Sequence, residues 1–154
     1  MSQQTAEAPP IREERRAMSY EAWLVWATGN VQAEWVKGEG IKFVPPVPEH
    51  GDASGLLFTL LRVFVDLFDL GTVYHAPQEM RLAMIPSARE PDVLFVAREH
   101  LHRIDPKRIE GPVDLAIEFF SPDSVRRDRI EKLAEYEVAG IPEYWLFDAR
   151  RGQE

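Results

Sequence analysis

The chain has 154 residues, of which 45% are hydrophobic and 29% charged, a balance typical of a folded globular protein rather than a disordered or fibrous one. It contains no cysteine, which excludes disulfide bonds, thiolate metal sites and a cysteine nucleophile. Its formal net charge of −8 argues against a protein that coats nucleic acid or a membrane surface nonspecifically.

The first 17 residues are polar and contain no apolar segment of the kind that a signal peptide needs. We therefore expect residues 1–17 to form a flexible tail and residues 18–154 to form one domain. The most apolar window, residues 55–73, carries three charged side chains, too many for an ordinary membrane span. These features predict a soluble, cytoplasmic protein that does not partner a membrane.

The beginning of the domain predicts a helix followed by a β-hairpin. Ser19 is a favourable N-cap for a short helix over residues 20–28, and Gly29-Asn30 would end it. Residues 31–36 and 41–44 flank the glycine-containing segment 37–40, a pattern typical of two strands joined by a tight turn. A proline-rich segment then ends the second strand.

A long helix is predicted from about residue 49 to residue 70. Its apolar side chains form two stripes: Leu57, Leu60, Leu61, Phe64 and Phe68 in one, and Leu56, Val63, Leu67 and Leu70 in the other. A helix that is apolar on two faces is usually covered on both. A central position in the core would satisfy this pattern, and so would contact with a second copy of the chain. We expect a homodimer.

The remainder of the chain alternates strands with one helix. Strands are predicted over residues 72–85 with a bend at Pro77, and over residues 93–96, 113–120 and 144–147. Between the last two, a helix begins at residues 121–124 and ends at Ala139, with Gly140 as its C-terminal cap. This order of elements predicts an α/β domain in which helices flank a mixed sheet.

Three acidic residues stand in or beside apolar strands: Glu34, Asp92 and Glu118. A carboxylate in such surroundings is costly unless it is paired, protonated, solvent-facing or metal-bound. Taken singly, each is most simply a polar residue on a solvated strand face, as the alternation around Glu118 would allow. Taken together, two carboxylates on adjacent strands could hold Mg²⁺, which prefers oxygen ligands.

Lys132 lies on the helix that follows Glu118, on the same face as Asp128, Arg129 and Tyr136. A lysine there could stabilise phosphoryl charge or orient a water molecule, or it could form a surface pair with Asp128. The chain has no glycine-rich phosphate loop, no G-x-S-x-G motif and no H-E-x-x-H motif.

Pro91-Asp92 is followed 26 positions after the aspartate by Glu118, and both belong to a series of motifs that runs in order over residues 18–148. They are EWVKGE at 34–39, PEH at 48–50, EPDVLFV at 90–96, DLAIEFFSP at 114–122, RD at 127–128 with KLAEY at 132–136, and GIPEYWLFD at 140–148. Together these motifs resemble the Uma-two family of restriction endonucleases, in the PD-(D/E)XK nuclease superfamily.

The chain departs from the superfamily pattern at three places. The motif lysine would fall at position 120, which is Phe120, and the resemblance implies that Lys132 supplies it from the following helix. That helix must then run back across the end of the strand. Lys37 replaces an acid that is common in the first motif. The family continues into further strands after the segment that ends here at Asp148, so we expect a domain shortened at its C-terminus.

The resemblance implies a restriction-endonuclease-like fold and metal-assisted hydrolysis of DNA phosphodiester bonds. Asp92, Glu118 and the backbone carbonyl of Phe119 would hold Mg²⁺ or Mn²⁺. Glu34 would support the site from the first strand of the hairpin, and Lys132 would activate or orient the attacking water.

Affinity for DNA phosphates would come from the arginines near the start of the last helix, Arg126, Arg127 and Arg129. They lie in residues 98–132, where eight basic side chains balance eight acidic ones. Two other classes stay open. One is a nuclease-fold binding or regulatory module that has lost catalysis, and the other is a hydrolase of a different phosphoester.

Overall fold

The computed structural model of the chain describes residues 13–29, 32–43, 48–120 and 124–148. Several predictions lie outside these residues: the first part of the expected tail, the end of the second hairpin strand at residue 44, and the segment 121–123 that was expected to begin the last helix.

The described residues form two β-sheets and three α-helices. The strands are β1 (Glu14–Ala17), β2 (Ala33–Val36), β3 (Glu39–Lys42), β4 (Gly71–His75), β5 (Met80–Leu82), β6 (Ser87–Arg89), β7 (Val93–Ala97), β8 (Ile109–Glu110), β9 (Leu115–Phe120) and β10 (Glu143–Asp148). The helices are α1 (Tyr20–Trp26), α2 (Pro48–Leu67) and α3 (Leu133–Ala139). A 3-10 helix over Arg98–Arg103 follows β7, and a π-helical segment over Arg127–Lys132 leads directly into α3.

The first sheet has the order β1-β3-β2-β6-β5-β8 and the second the order β10-β9-β7-β4. Each sheet is mixed, because β5 pairs with β8, and β9 with β10, in parallel, while the other pairs are antiparallel. The predicted α/β class with helices flanking mixed strands is confirmed, and the strands are divided between two sheets.

Strand β1 lies where the sequence predicted a flexible tail. Residues Glu14–Ala17 pair with β3 at the edge of the first sheet, and all four are exposed. Arg15 forms an ion pair with Glu39 of β3 at 2.9 Å. Because this strand buries no side chain, its sequence lacks the alternation of apolar and polar residues that predicts a strand. Its position depends instead on backbone pairing with a partner distant in sequence.

The hairpin and the first helix form where the local sequence predicts them, although β3 begins at Glu39, inside the predicted turn segment, and α1 ends at Trp26. Lys37 and Gly38 join β2 to β3 with φ angles of 49° and 89°, the left-handed pair that a two-residue hairpin turn requires. The Ser19 side chain accepts a hydrogen bond from the backbone N–H of Ala22 at 3.2 Å and so caps α1.

Apolar side chains define the layers of the fold. Helix α1 covers the outer face of the first sheet, where Trp23 packs with Ala33, Trp35 and Ala88. The two sheets face each other across a core to which both contribute side chains: Met80, Leu82 and Ile109 from the first and Leu94, Val96 and Ala116 from the second. Helix α2 covers the outer face of the second sheet.

Helix α2 has two apolar faces, as predicted, but the positions are divided differently. Leu57, Phe58 and Leu61 pack on the second sheet with Val65, which is 4% exposed. Leu60 and Phe64, predicted to share a stripe with Leu57 and Leu61, are 59% and 53% exposed. The inner face therefore keeps Leu57 and Leu61 of the predicted stripe and adds Phe58 and Val65. No helix in the described part of the chain is long and apolar enough to cross a bilayer.

Strand β4 begins at a position that only glycine fits. Gly71 has a φ of 147°, and a Cβ atom there would lie 2.1 Å from the carbonyl oxygen of Val96 on the neighbouring strand. The bend predicted at Pro77 lies between β4 and β5, at a cis peptide bond after Ala76.

The last helix is less regular than predicted. Residues Arg127–Lys132 form a π-helical segment before α3 begins, a local widening that is often found at functional sites. Helix α3 ends at Gly140, whose φ of 77° is the left-handed conformation expected of a C-terminal cap. Strand β10 then returns parallel to β9.

Candidate functional site

Alternation along the strands turns charged side chains into the space between the sheets. In β2, Ala33 and Trp35 face α1, so Glu34 faces the opposite way and is fully buried. In β6, Ala88 faces α1, and its neighbour Arg89 is likewise directed between the sheets and buried. Two strands adjacent in the first sheet thus each deliver one charge to the interior.

The second sheet supplies the other carboxylates. Glu118 in β9 is 3% exposed, which rules out the interpretation that it lies on a solvated strand face. Asp92 precedes β7 and is 8% exposed. One of its carboxylate oxygens accepts a hydrogen bond from the backbone N–H of Phe119 at 2.7 Å. The Asp92 carboxylate therefore lies against β9, beside the residue that follows Glu118.

Lys132 joins the two sheets electrostatically. Its Nζ donates a hydrogen bond to Glu118 Oε1 at 2.6 Å and lies 2.9 Å from Glu34 Oε1. Asp128 Oδ1 is 3.6 Å away, and the Lys132 side chain is 3% exposed. The helical segment runs back across the strand end, as the proposed role of Lys132 required. The contact with Asp128 that was considered as a surface pair is present, but it is buried.

A further layer of the cluster was missed in the sequence. Arg89 donates hydrogen bonds to Glu34 at 2.8 Å and to both carboxylate oxygens of Glu135 at 2.7 and 3.1 Å. Ser87 also donates to Glu135. Arg89 lies in β6, a strand outside all of those predicted from the sequence, so no sequence signal marked it as a charge inside a strand.

The two carboxylates that share Lys132 differ in their proton affinity. Burial raises the pKa of Glu118, and repulsion from Asp92 and Asp128 adds to this, so that the pKa reaches about 8 despite Lys132. Burial also opposes the charge of Glu34, but the Lys132 and Arg89 cations outweigh it and lower the pKa to about 2. Neighbouring carboxyl groups with pKa values pushed apart are a feature of acid–base sites.

Burial lowers the pKa of Lys132, but the carboxylates of Glu118, Glu34 and Asp128 outweigh this effect and hold the pKa above its usual value. The ammonium is therefore charged throughout the physiological range. Burial, followed by the nearby Glu118, raises the pKa of Tyr136, whose hydroxyl group lies 3.4 Å from Glu118 Oε1. The tyrosine thus stays a neutral hydrogen-bond donor.

The three arginines predicted to bind phosphate lie in different environments. Arg126 is 86% exposed and lies 3.8 Å from the carboxylate of Glu131. Arg129 is exposed and lies over the ring of Phe120. Arg127 is mostly buried: it forms an ion pair with Glu13 and lies 3.5 Å from Asp128 Oδ1. Two of the three are thus available at the surface, while Arg127 is engaged within the protein.

Among the residues that the structure describes, no group of three or more His, Asp or Glu side chains is arranged to hold a metal ion. The donors predicted from the sequence do fit Mg²⁺ chemically, because this ion is commonly bound through one or two carboxylates while water and phosphate complete its shell. Asp92 and Glu118 are close enough for the charge of one to raise the pKa of the other, and a cation beside both would relieve that repulsion.

The chain matches the Uma2 (Uma-two) family, described as "Putative restriction endonuclease", over residues 18–153. No curated protein matches it. Its fold is similar to that in the crystal structure of "a putative nuclease belonging to DUF820 from Anabaena variabilis ATCC 29413", with a TM-score of 0.63 and 17% sequence identity. The alignment covers 75% of this chain and 65% of that chain, so at this identity the likeness shows the fold alone.

Proposed function

Because the chain belongs to the Uma2 family of restriction-endonuclease-like proteins, we propose that it is a metal-dependent endonuclease that hydrolyses DNA phosphodiester bonds. The observation that carries the proposal is the contact of the buried Lys132 ammonium with Glu118, next to Asp92. Two acids and a lysine from separate segments are the side chains that such a hydrolase needs. Here they meet although the lysine does not come from the strand that carries Glu118.

In this proposal Asp92 and Glu118, with the backbone carbonyl of Phe119, hold Mg²⁺ or Mn²⁺. The ion supplies a Lewis acid and lowers the pKa of a bound water molecule. Lys132 stabilises the negative charge that develops on the phosphoryl group, because its ammonium is held permanently charged beside the metal-binding carboxylate. Glu34, ionised and anchored by Arg89, fixes the position of that ammonium.

The exposed arginines Arg126 and Arg129 are the proposed contacts to the DNA backbone. Both lie within a few residues of Lys132, so they could direct a phosphate toward the site. With a net charge of −8 the protein has little general attraction for DNA, and we expect weak binding that decreases further with salt. A homodimer, with two sites, would suit cleavage of both strands of a duplex.

One observation favours a second candidate, a nuclease-fold module that binds without cleaving. Glu34, Asp92 and Glu118 are 0%, 8% and 3% exposed, and Lys132 is in contact with carboxylates. A cluster so enclosed could act as a structural ion network. The two candidates differ in one measurable property, since only the nuclease turns over substrate.

The test is cleavage of linear duplex, supercoiled plasmid and single-stranded DNA with millimolar Mg²⁺ or Mn²⁺. The site variants are Lys132→Met and the pair Asp92→Asn with Glu118→Gln, each assayed at a temperature where circular dichroism shows that it is folded. The control is Glu131→Gln, an acid that is half exposed and directly precedes Lys132. We expect the parent and the control to cleave, and the site variants to lose on the order of a hundredfold in rate or more.

Cleavage that persists in the site variants would refute the assignment of the residues. A parent protein that binds DNA but cleaves none of the substrates with either ion would refute the nuclease and support the binding module. Calorimetry with Mn²⁺ separates the metal from the reaction. The parent should bind the ion, and the Asp92→Asn/Glu118→Gln variant should not.

A further inference from the structure

The outer face of α2 and the turn that follows it expose an unusual concentration of large apolar side chains. Seven of them, 41–73% exposed, lie within fifteen residues. They are Leu56, Leu60, Val63, Phe64, Leu67, Phe68 and Leu70. None belongs to the buried clusters or to the side chains packed against them, so no other described part of the same copy covers this surface.

The spacing of the outer residues is that of a helix-pairing seam. Leu56, Leu60, Val63 and Leu67 are separated by four, three and four residues, the alternation by which one helix packs against another in a coiled coil. This stripe is distinct from the inner stripe, which packs on the second sheet. The helix therefore carries two separate packing surfaces, of which only the inner one packs against described residues of the same copy.

The seam is complementary to itself. When two such helices pack antiparallel about a two-fold axis between positions 61 and 62, Leu56 lies opposite Leu67 of the second copy, and Leu60 opposite Val63. A symmetric interface requires this relation, in which residue i meets j and j meets i. The nearby charges do not interfere, because Arg62 and Asp66 form an ion pair with each other within the same helix at 2.8 Å.

The area is sufficient for a stable dimer. At the observed exposures, the seven side chains present roughly 700 Å² of surface, close to the ~800 Å² per partner that stable interfaces bury. Monomeric proteins rarely expose contiguous apolar patches above a few hundred Å². The segments outside the described residues contain few large apolar side chains that could cover it: Met1, Ile11, Val31, Val44 and Val47.

We propose that the outer face of α2 is the interface of a homodimer, in which the two α2 helices pack antiparallel about a two-fold axis. The inference specifies the surface, the partner and the orientation, and it does not depend on nuclease activity.

The first experiment measures the mass of the full chain by light scattering and sedimentation at micromolar concentration. We expect twice the 17.7 kDa chain mass for the parent. Leu60→Glu/Leu67→Glu should be monomeric with an unchanged circular dichroism spectrum, since both side chains are more than half exposed. The control Met84→Glu, at a 97% exposed apolar residue elsewhere, should remain a dimer. A monomeric parent, or a dimer that survives the double substitution, would overturn the proposal.

A second experiment tests the orientation without adding charge to the seam. The chain contains no cysteine, so Leu56→Cys/Leu67→Cys introduces the only thiols. Antiparallel pairing brings position 56 to position 67 of the partner, and mild oxidation should yield a covalent dimer. The two positions within one helix are ~16 Å apart, too far for an internal disulfide. Neither single cysteine variant should cross-link efficiently. Efficient cross-linking of the single variants, or none in the double variant, would overturn the antiparallel arrangement.

Discussion

Replacing Lys132 with methionine should severely destabilise the protein, whether or not the protein is an enzyme. The ammonium is buried and has three carboxylate oxygens within 3.6 Å, at Glu118, Glu34 and Asp128. Removing one partner from a buried ion pair costs about 3–5 kcal/mol, because a carboxylate is left without compensation. We expect a loss of about 4 kcal/mol in the free energy of unfolding, a large part of the ~5–15 kcal/mol of a typical domain.

A double variant shows whether Lys132→Met lowers the stability through the lost positive charge or through the lost packing of the side chain. Above the raised pKa of Glu118, where this side chain is ionised, adding Glu118→Gln to Lys132→Met removes a carboxylate that the first substitution leaves uncompensated. The double variant should therefore lose less stability than the sum of the two single variants, with a coupling energy of at least ~1.5 kcal/mol. Urea titration at about pH 9, where both Glu118 and Lys132 are charged, followed by circular dichroism measures all four proteins. The midpoint for Lys132→Met should fall by roughly 2 M.

A second double-mutant cycle, in which Arg62 and Asp66 are replaced singly and together, provides the control. Their side chains form an ion pair at 2.8 Å but are 45% and 51% exposed, so their coupling should not exceed about 0.5 kcal/mol. If Lys132→Met costs less than 1 kcal/mol, or if its effect adds to that of Glu118→Gln without coupling, the reasoning from a buried, mutually dependent charge cluster fails.

Two further predictions concern stability. Arg89→Met should cost about 3–5 kcal/mol in the free energy of unfolding because it strips the buried Glu34 of one of its cations, whereas Arg16→Met, at a 60% exposed ion pair, should cost less than ~1 kcal/mol. An equal effect of both in urea titration would contradict the burial argument. Gly71→Ala should lower the free energy of unfolding by at least ~2 kcal/mol, since the new Cβ meets a backbone carbonyl, while Gly140→Ala has open space and should cost only ~1 kcal/mol for its positive φ. Thermal melts that rank these two glycine variants the other way would show that the close approach at β4 is wrong.

Interactions between nearby residues were readable from the sequence. The hairpin turn at Lys37-Gly38, the Ser19 cap and the helix end at Gly140 depend on the conformational preferences of a few adjacent residues, and each is present in the structure. The two-faced character of α2 was visible for the same reason, since helical periodicity is a local property. Which positions contact the sheet was not visible, because the rotation of a helix about its axis is set by the surface against which it packs.

In the candidate site, too, the identity of the residues was readable from the sequence but their arrangement was not. Glu34, Asp92, Glu118 and Lys132 could be named from the sequence, because charged residues beside apolar strands are conspicuous and the motifs resemble those of a nuclease family. Their convergence could not be read in this way, since Glu34 and Lys132 are 98 positions apart and lie 2.9 Å from each other only after both sheets have formed.

The sequence by itself determined the three helices, the hairpin and the longer strands, with the Ser19 and Gly140 caps and the identity of the charges. Only the tertiary structure decided how those charges are paired. It placed Arg89 between Glu34 and Glu135, turned Arg127 inward, and paired the exposed strand β1 with β3. The physical reason is that a buried charge must find its partner among groups brought close by packing, whatever their distance along the chain. An edge strand likewise needs only a backbone with which to pair, which leaves no pattern in its side chains.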